Sequence, residues 1–258
     1  MAESIRVLSY NTHQGIGMDG RYDLRRIADV VRRSDADAAA LQEVNRHRKE
    51  KTDFDDQPAR LEELTGMNAE YGVVLEEDPT LASDGEPRQM GQLVLSERPI
   101  ESAEVHRLPS PDENQPRAAV RTRIDVEGTE LRFVTTHLGI EHEERRRQVE
   151  DLVAWLDDDA ANQVLVGDCN AAADSEPVMA LKDEFREAFA ALGREPARTH
   201  PSPYVEETEG DLFVKTYRPR TQADYVFAGE GVSVEDAQVR HSLASDHSPV
   251  LADLTLSG

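Results

Sequence analysis

The sequence predicts a mixed α/β protein in which two β-sheets pack face to face and helices cover their outer faces. Short apolar runs of strand length alternate along the 258 residues with segments of helical periodicity. Several neighbouring strands are joined by short turns, as in antiparallel hairpins. Strands and helices of this kind bury their apolar faces by stacking in layers. With 38% hydrophobic residues, the chain is expected to form one domain over residues 1–258, although its length alone also allows two.

The apolar runs predict the strands, and the clearest hairpin signal is the turn at residues 127–130. The predicted strands cover residues 5–10, 38–44, 71–75, 92–96, 118–126, 131–136, 163–166, 225–228, 232–239 and 250–256. Pro99 closes the fourth of these strands, because proline cannot donate to a sheet. Residues 77–90 and 194–220 contain several prolines and show little periodicity, so they are predicted to be loops.

Helical periodicity predicts helices between these strands. Asp23 is suited to cap the first helix, whose apolar side carries Leu24, Ile27, Val30 and Val31. A short helix over residues 58–64 is expected to end at Gly66. The later helices are predicted over residues 141–157, with an apolar stripe on one side, and over residues 178–192, ending at Gly193.

Composition limits the class of protein. No apolar stretch approaches the ~20 residues that a membrane-spanning helix needs. The first residues lead directly into a strand-like run, so no signal peptide is expected. Cys169 is the only cysteine, which excludes a disulfide within the chain and makes a reducing, cytoplasmic location the expectation.

The chain carries a large excess of acid, with 52 aspartates and glutamates against 29 lysines and arginines and a net charge of −23. Lysine is nearly absent, and acidic residues occur in every segment, including the run at 157–159. This composition predicts a halophilic protein of a high-salt cytoplasm; a well-solvated surface that resists aggregation is the simpler alternative. Such a surface repels nucleic acid in dilute buffer, but at about 1 M salt the screening length falls to ~3 Å and long-range repulsion largely disappears.

Six short segments place a carboxylate, an amide or an imidazole at or near the end of an apolar run. They are Ser9-Tyr10-Asn11, Leu41-Gln42-Glu43-Val44, Thr136-His137-Leu138, Gly167-Asp168-Cys169-Asn170, Ala223-Asp224-Tyr225 and Ser245-Asp246-His247-Ser248-Pro249-Val250. Each segment is weak alone, but together they predict one rim at which oxygen ligands and two histidines converge. That chemistry suits a hard metal ion and a phosphate group.

In this order, the six segments resemble the endonuclease/exonuclease/phosphatase superfamily of DNase I-like metal hydrolases. The resemblance runs from Ser9 to Val250, nearly the whole chain. Three further segments support it, at residues 37–40, 91–100 and 145–152. The resemblance implies a four-layer α/β sandwich of two mixed, largely antiparallel sheets, with helices outside and the active site at one end.

The resemblance also implies a cation site. Asn11 and Glu43 would hold the cation, with Asp246 nearby, and Tyr10 and Gln42 would orient these ligands. Amide and carboxylate oxygens suit Mg²⁺, with Mn²⁺ as the alternative, and no thiolate cluster suggests zinc. Taken alone, Glu43 fits equally well as a carboxylate paired with an arginine, and Asn11 fits an ordinary turn.

The remaining motif residues are given catalytic roles by the resemblance. Asp168 would orient or deprotonate the attacking water, and Asn170 would donate to a phosphoryl oxygen. Asp224 would pair with His247, fixing the tautomer of the imidazole and raising its basicity. His247 would stabilise the phosphorane or move a proton, and His137 would donate from the opposite side. The general base is left open between Asp168 and His247, and both are expected at the surface of the cleft.

Other residues give weaker signals. Arg117 is a candidate substrate contact, with a surface salt bridge as the alternative. His13 and residues 15–20 are expected to form a flexible turn rather than to line the cleft, and Cys169 is expected to be a packing residue. The other histidines lack a motif and are expected at the surface, at positions 47, 106, 142, 200 and 241.

The predicted function is Mg²⁺-dependent hydrolysis of a phosphoester, with a small-molecule or lipid-headgroup phosphodiester favoured. Thr136-His137-Leu138 resembles the sphingomyelinase-like and phosphatase-like branches. After Gln42-Glu43 the chain continues with Val44, where abasic-site endonucleases typically continue with Thr-Lys. No basic stripe with interleaved aromatics indicates a nucleic-acid groove. A nuclease working at high salt is the alternative, and a catalytically silent binding module is a third hypothesis. The expected partner is the phosphoester substrate, and no obligate protein partner is inferred.

Overall fold

The structure is a computed structural model that describes residues 2–156, 161–207, 214–218 and 220–258. These residues form two six-stranded sheets and a separate two-stranded hairpin. The first sheet contains β1 Glu3–Asn11, β2 Ala38–Arg46, β3 Asn68–Glu77, β4 Arg88–Ser96, β13 Val232–Val239 and β14 Val250–Leu256. The second contains β5 Ile100–Leu108, β6 Arg117–Val126, β7 Thr129–His137, β8 Gln163–Asp168, β9 Arg186–Glu187 and β12 Asp224–Ala228. The hairpin pairs β10 Tyr204–Glu207 with β11 Val214–Tyr217. The helices are α1 Leu24–Ser34, α2 Gln57–Thr65, α3 His142–Leu156, α4 Glu176–Glu184 and α5 Ala188–Ala191.

The strand order brings both sheets to a common rim. The first sheet runs β13-β14-β1-β2-β4-β3 and the second β5-β6-β7-β8-β12-β9. Among the described pairings, β1 with β2 and β7 with β8 are parallel, and the others are antiparallel. The carboxyl ends of parallel neighbours meet at one edge, and their antiparallel neighbours begin there. The ends of β1, β2, β7 and β8 therefore lie beside the starts of β6, β12 and β14.

Three apolar clusters separate four layers of structure. Between the sheets, Val7 and Val94 of the first pack in one cluster with Phe133 and Val166 of the second. The outer face of the first sheet packs against α1 and α2, and that of the second against α3 and α4. Alternation along a strand sends successive side chains to opposite faces, so central strands such as β1, β2, β7 and β8 contribute to an inner and an outer cluster. The predicted four-layer α/β sandwich is thus confirmed.

The predicted helix ends are present at the first two helices. The Asp23 carboxylate accepts a hydrogen bond of 2.9 Å from the Arg25 backbone N–H at the start of α1. Gly66 follows α2 with a φ of +73°, a left-handed conformation that glycine adopts without strain. The described part of α3 ends at Leu156, and the acidic run at 157–159 lies outside the described residues.

The prediction of one helix over residues 178–192 is wrong. The chain leaves α4 at Phe185, whose backbone is extended, and two residues then pair with β12 at the edge of the second sheet. Arg186 donates to the carbonyls of Gly229, Glu230 and Val232, which holds this short strand in place. The Glu187 carboxylate then caps α5 by accepting from two backbone N–H groups.

Three other strands were not predicted. β5 is an edge strand whose side chains are mostly exposed, so it lacks the apolar alternation that marks a strand. The segment at 194–220, predicted to be a loop, contains β10 and β11, and residues 208–213 within it lie outside the described part. No helix in the described ranges combines the length and apolar character needed to cross a membrane.

Candidate active site

A bulge at the end of β2 aims Glu43 at the rim. The pairing of β2 with β4 shifts register between Leu41 and Val44, so the two residues between them have no partner in that ladder. Glu43 has a φ of +57°, which is sparsely populated for a residue with a side chain. Bulges next to active sites commonly redirect a side chain in this way. Because Gln42 pairs with Asn11 across β1 and β2, the bulge places Glu43 beside the end of β1.

The turn after β8 is tightly constrained. A Cβ atom at Gly167 would lie 1.9 Å from the Thr136 carbonyl oxygen, so only glycine allows β7 and β8 to approach this closely. Asn170 follows with a φ of +47°. Its backbone N–H donates to Asp168 Oδ1 at 2.8 Å, which fixes one oxygen of that carboxylate. The turn therefore holds Asp168 and Asn170 in defined positions at the rim.

Four predicted site residues form a connected chain across the two sheets. His247 Nδ1 lies 2.8 Å from Asp224 Oδ2, and its Nε2 lies 3.7 Å from Asp168 Oδ2. Asn11 Nδ2 donates to the same Asp168 oxygen at 2.9 Å. All four side chains are buried, so Asp168 and His247 do not lie at the cleft surface as the sequence suggested. Asp168 is the point at which β1, β8 and the loop before β14 meet.

A second group of predicted residues lies on the other side of Asp168. His137 Nε2 is 3.4 Å from Asp168 Oδ2 and 3.0 Å from Asn170 Nδ2. Asn170 Nδ2 also donates to the Leu138 carbonyl at 2.9 Å, which fixes the orientation of its amide. The imidazoles of His137, in the second sheet, and His247, in the loop before β14 of the first sheet, thus face the same carboxylate oxygen of Asp168. The amide of Asn170 lies beside His137.

Arg117 is buried at the start of β6, not in a surface salt bridge. Its Nε has no hydrogen-bond partner among the described residues. Burial lowers the pKa of the Arg117 guanidinium, and Asp168 and Glu43 act in the opposite direction. A guanidinium remains protonated in proteins. Arg117 therefore presents a buried positive charge, with an unused donor, close to both carboxylates.

The two site histidines have opposite protonation tendencies. Burial and the neighbouring Arg117 lower the pKa of His137 to about 3, although Asp168 opposes this shift. Burial alone would also lower the pKa of His247, but the Asp224 and Asp168 carboxylates raise it to about 10. At neutral pH His137 is consequently neutral, and His247 is a buried imidazolium between two carboxylates.

Asp246 faces two histidines that lie outside the six motif segments. Its Oδ1 is 3.6 Å from His13 Nδ1 and its Oδ2 is 3.8 Å from His200 Nε2. Burial would raise the pKa of Asp246, but His200, His247 and His13 lower it to about 2. Ser245 Oγ, 3.4 Å from Asp246 Oδ1, donates to the Asn11 carbonyl at 2.7 Å and connects this loop to β1.

The donor chemistry of the rim fits a divalent cation. Among the described residues, no Lys, Arg or His nitrogen lies within 4.0 Å of the Glu43 carboxylate. Asp224 Oδ1 is buried without a hydrogen-bond partner, and ligand atoms of Asp168, Asp224 and His247 lie within 4.8 Å of one another. Glu43 is thus a carboxylate without a direct ionic partner, whereas Asp168 and Asp224 both face His247. Oxygen donors of this kind suit a hard cation.

The sequence interpretation missed several contacts. His200, expected at the surface, lies beside His247 with ring centroids 4.5 Å apart. Gln14 donates to Glu43 Oε2 at 3.2 Å, although no motif marks it. Gln42 does not orient the metal ligands; its amide donates to Thr135 Oγ1 at 3.0 Å and ties the two sheets together. For a contact between sheets such as that of Gln42 with Thr135, the only signal in the sequence is a polar residue at a strand position that faces the interior.

Cys169 packs in the outer cluster of the second sheet. Its side chain is buried, and burial raises the pKa of the thiol well above its ordinary value. A protonated, inaccessible thiol is neither a nucleophile nor a metal ligand. The predicted packing role agrees with this environment.

The fold and the rim together define a class of protein, a four-layer α/β sandwich with carboxylates, amides and histidines at the shared end of its sheets. The sequence matches the Endonuclease/Exonuclease/phosphatase family over residues 8–247. The chain belongs to this family of phosphoester hydrolases. Comparison with curated proteins finds no match.

Solved structures share the fold over almost the whole chain. An endonuclease/exonuclease/phosphatase from Beutenbergia cavernae DSM 12333 is 25% identical, with a TM-score of 0.75 over 99% of this chain and 72% of that chain. TDP2 of D. rerio, complexed with a single-strand DNA product, is 15% identical, with a TM-score of 0.67 over 97% and 98%. The mannosyl-6-phosphatase Bt3783 of Bacteroides thetaiotaomicron VPI-5482 is 18% identical, with a TM-score of 0.68 over 97% and 99%.

Proposed function

We propose that the protein is a Mg²⁺-dependent phosphodiesterase that acts on a small-molecule or lipid-headgroup phosphodiester by attack of water. The observation that carries this proposal is the buried chain from Asp224 through His247 and Asp168 to Asn11. This chain joins His247 and Asp168, the proposed proton donor and base, to Asn11, the proposed cation ligand, across the two sheets. Groups that act on one phosphoryl centre have to converge in this way.

Asn11 and Glu43 would hold the cation, and Asp246 would lie near it. Mg²⁺ is preferred because the donors are amide and carboxylate oxygens, and Mn²⁺ shares this preference. When bound, the cation withdraws negative charge from a phosphoryl oxygen. The bulge at Glu43 and the Gln14 contact keep the carboxylate directed at this position.

Asp168 would take the proton of the attacking water. The two ring nitrogens of His247 face carboxylate oxygens of Asp224 and Asp168, an arrangement that favours the imidazolium form. An imidazolium has no free lone pair, so His247 acts as a donor that stabilises the phosphorane, and Asp168 is the remaining base. This choice assigns the general-base role that the sequence left open.

The opposite side of the phosphoryl group would be contacted by Arg117, Asn170 and His137. Arg117 supplies a buried positive charge with an unused donor, and such a charge stabilises developing negative charge strongly where water is excluded. In this structure Asn170 Nδ2 donates to His137 Nε2, so that nitrogen accepts and carries no proton. A bound phosphoryl group would replace this hydrogen bond, with the Asn170 amide donating to one oxygen and neutral His137, protonated on Nε2, donating to another. Donors from both sheets would then surround the phosphorane.

A small diester is favoured over a nucleic acid because of charge. The net charge of −23 opposes a polyanion, and high salt weakens any binding that depends on release of counterions. A nuclease is the second candidate, and the similarity to TDP2 with a bound single-strand DNA product supports it. A phosphomonoester is the competing small substrate, supported by the similarity to a mannosyl-6-phosphatase.

One assay separates these candidates. Bis(p-nitrophenyl) phosphate, p-nitrophenyl phosphate, supercoiled plasmid and an abasic duplex are incubated in high KCl with Mg²⁺, Mn²⁺ or EDTA. Metal-dependent turnover of the diester alone supports the proposal. Nicking of the plasmid or cleavage of the abasic duplex supports the nuclease, and turnover of the monoester alone supports a phosphatase. No turnover with either metal contradicts all three and favours a silent binding module.

We also propose that the protein works in a salt-rich cytoplasm. The acid excess and the scarcity of lysine support this, and in the described chain many arginines are engaged by carboxylates at the surface. High salt screens the repulsion among the remaining acidic groups. We therefore expect the stability of the fold to increase with the concentration of KCl.

A further inference from the structure

We propose that Gln14, held in place by Lys49, is a positioning residue that orients the Glu43 carboxylate and thereby sets the affinity of the rim for a divalent cation. The inference rests on the proposed function, in which Glu43 is a cation ligand. It concerns a second set of side chains, which do not touch the cation themselves. Such contacts commonly change metal affinity by tenfold or more.

The hydrogen bonds of Gln14 fix the direction of its amide. Its Oε1 accepts from Lys49 Nζ at 2.9 Å and from Asn45 Nδ2 at 3.3 Å. Its Nε2 donates to Glu43 Oε2 at 3.2 Å. Rotating the amide by half a turn would direct its NH₂ group at two donors and its oxygen at a carboxylate. Lys49 therefore makes Gln14 a donor toward Glu43 rather than an acceptor.

The backbone around Gln14 is held equally firmly. Gln57 Nε2 donates to the Gln14 carbonyl at 2.8 Å, and Gln57 Oε1 accepts from the Asn45 backbone N–H at 2.8 Å. One buried amide thus ties the loop of Gln14 to the strand that carries Glu43. Gln14 and Glu43 both have left-handed backbone conformations, with φ of +60° and +57°. Such conformations persist where the surroundings over-determine them, and they cluster at functional sites.

A neutral donor suits a cation ligand for an electrostatic reason. A lysine or arginine bonded directly to Glu43 would neutralise the carboxylate and repel the cation. Gln14 orients the carboxylate and leaves its charge available. The ammonium group of half-buried Lys49 donates to the amide oxygen of Gln14 and not to Glu43. Burial lowers the pKa of this lysine.

The inference predicts the sign of a charge effect. Lys49→Met removes a positive charge close to the cation site, and simple electrostatics would make cation binding tighter. In the positioning account the same change frees the amide of Gln14 to rotate, so binding becomes weaker. Gln14→Met removes the donor itself and should weaken binding more. The positioning effect of Lys49 passes through Gln14, so once Gln14 is replaced, Lys49→Met should not weaken binding any further.

The test measures Mn²⁺ binding to the full chain by electron paramagnetic resonance, without substrate. Glu43→Gln identifies the site, and Lys51→Met is the matched control, because it removes an exposed lysine of the same turn. We expect Gln14→Met to raise the dissociation constant about tenfold, and Lys49→Met about threefold. The double variant should bind no more weakly than Gln14→Met, and Lys51→Met should stay within about twofold of wild type.

The outcomes distinguish the inference from the function on which it rests. Weaker binding in Glu43→Gln with unchanged binding in Gln14→Met overturns the inference alone. Tighter binding in Lys49→Met also overturns it, and this half-exposed substitution remains informative if Gln14→Met fails to fold. Unchanged binding in Glu43→Gln overturns the inference together with the assignment of Glu43 as a cation ligand.

Discussion

Asp224→Asn should abolish most of the activity by removing the charge that keeps His247 protonated. The two side chains are buried, and His247 Nδ1 lies 2.8 Å from Asp224 Oδ2. Asparagine keeps the shape of the side chain but loses its charge. The account assigns the role of phosphorane donor to the imidazolium, so this substitution tests that role directly.

The size of the effect follows from the shifted pKa. Burial lowers the pKa of His247, yet Asp224 and Asp168 raise it from 6.5 to about 10. At about 1.4 kcal/mol for each pH unit, this shift favours the imidazolium by on the order of 5 kcal/mol. Asp224 is the largest contributor that raises the pKa of His247, so Asp224→Asn should remove most of this stabilisation of the imidazolium. Loss of a positioned, charged donor costs about 10²- to 10⁴-fold in kcat.

The pKa of His247 also determines how kcat should change with pH in the wild type and in Asp224→Asn. In the wild type the His247 pKa of about 10 keeps the imidazolium present throughout the neutral range, so kcat should stay level up to about pH 9. In Asp224→Asn the pKa falls, and kcat should decline as the pH rises through the lower value. The same raised pKa stabilises the fold fully below about pH 6.5, and this stabilisation is lost as the pH approaches 10.

The assay follows bis(p-nitrophenyl) phosphate hydrolysis from pH 6 to 10 at saturating Mg²⁺. Asp253→Asn is the matched control, because it removes the same charge from a partly exposed pair with Arg6. The control should keep wild-type kcat and pH dependence. If Asp224→Asn retained more than a tenth of wild-type kcat with an unchanged profile, the role given to His247 would be refuted.

Three further predictions address the chemistry, the salt and the thiol. Asp168→Ala or His247→Ala should lower kcat by several orders of magnitude, measured with the same diester; more than about a tenth of wild-type activity in either variant would show that the residue is misassigned. The melting temperature should rise as KCl increases from dilute buffer towards molar concentrations, followed by circular dichroism, and a maximum without salt would contradict adaptation to salt. Cys169 should not react with Ellman's reagent at pH 8 in the folded protein and should react after denaturation in urea, because its thiol is buried with a raised pKa; rapid labelling of the native protein would disprove this packing.

The sequence predicts most of the fold because local patterns carry it. The strands that hold the rim are buried on both faces, so β1, β2 and β8 appear as apolar runs that end in polar residues. Edge strand β5 has no such pattern, because most of its side chains face water. The break between α4 and α5 depends on pairing with β12, a contact between residues about forty positions apart that helical periodicity cannot detect.

The candidate site is predictable where its residues follow strands. Asn11, His137 and Asp168 each end a strand, and parallel pairing then brings the strand ends together. Gln14 and His200 were missed because they lie in loops, where sequence does not report direction or contact. The position of Gln14 depends on its left-handed backbone and that of His200 on long-range packing, and only the folded chain reveals either.

The central claim is that side chains from both sheets surround one divalent cation at the shared rim. Anomalous diffraction from a crystal of the protein soaked in MnCl₂ tests it most directly. The account predicts one strong anomalous peak about 2.0–2.5 Å from side-chain oxygens of Asn11 and Glu43, on the side facing Asp168. A peak bound elsewhere, or none at the rim despite full soaking, would contradict it.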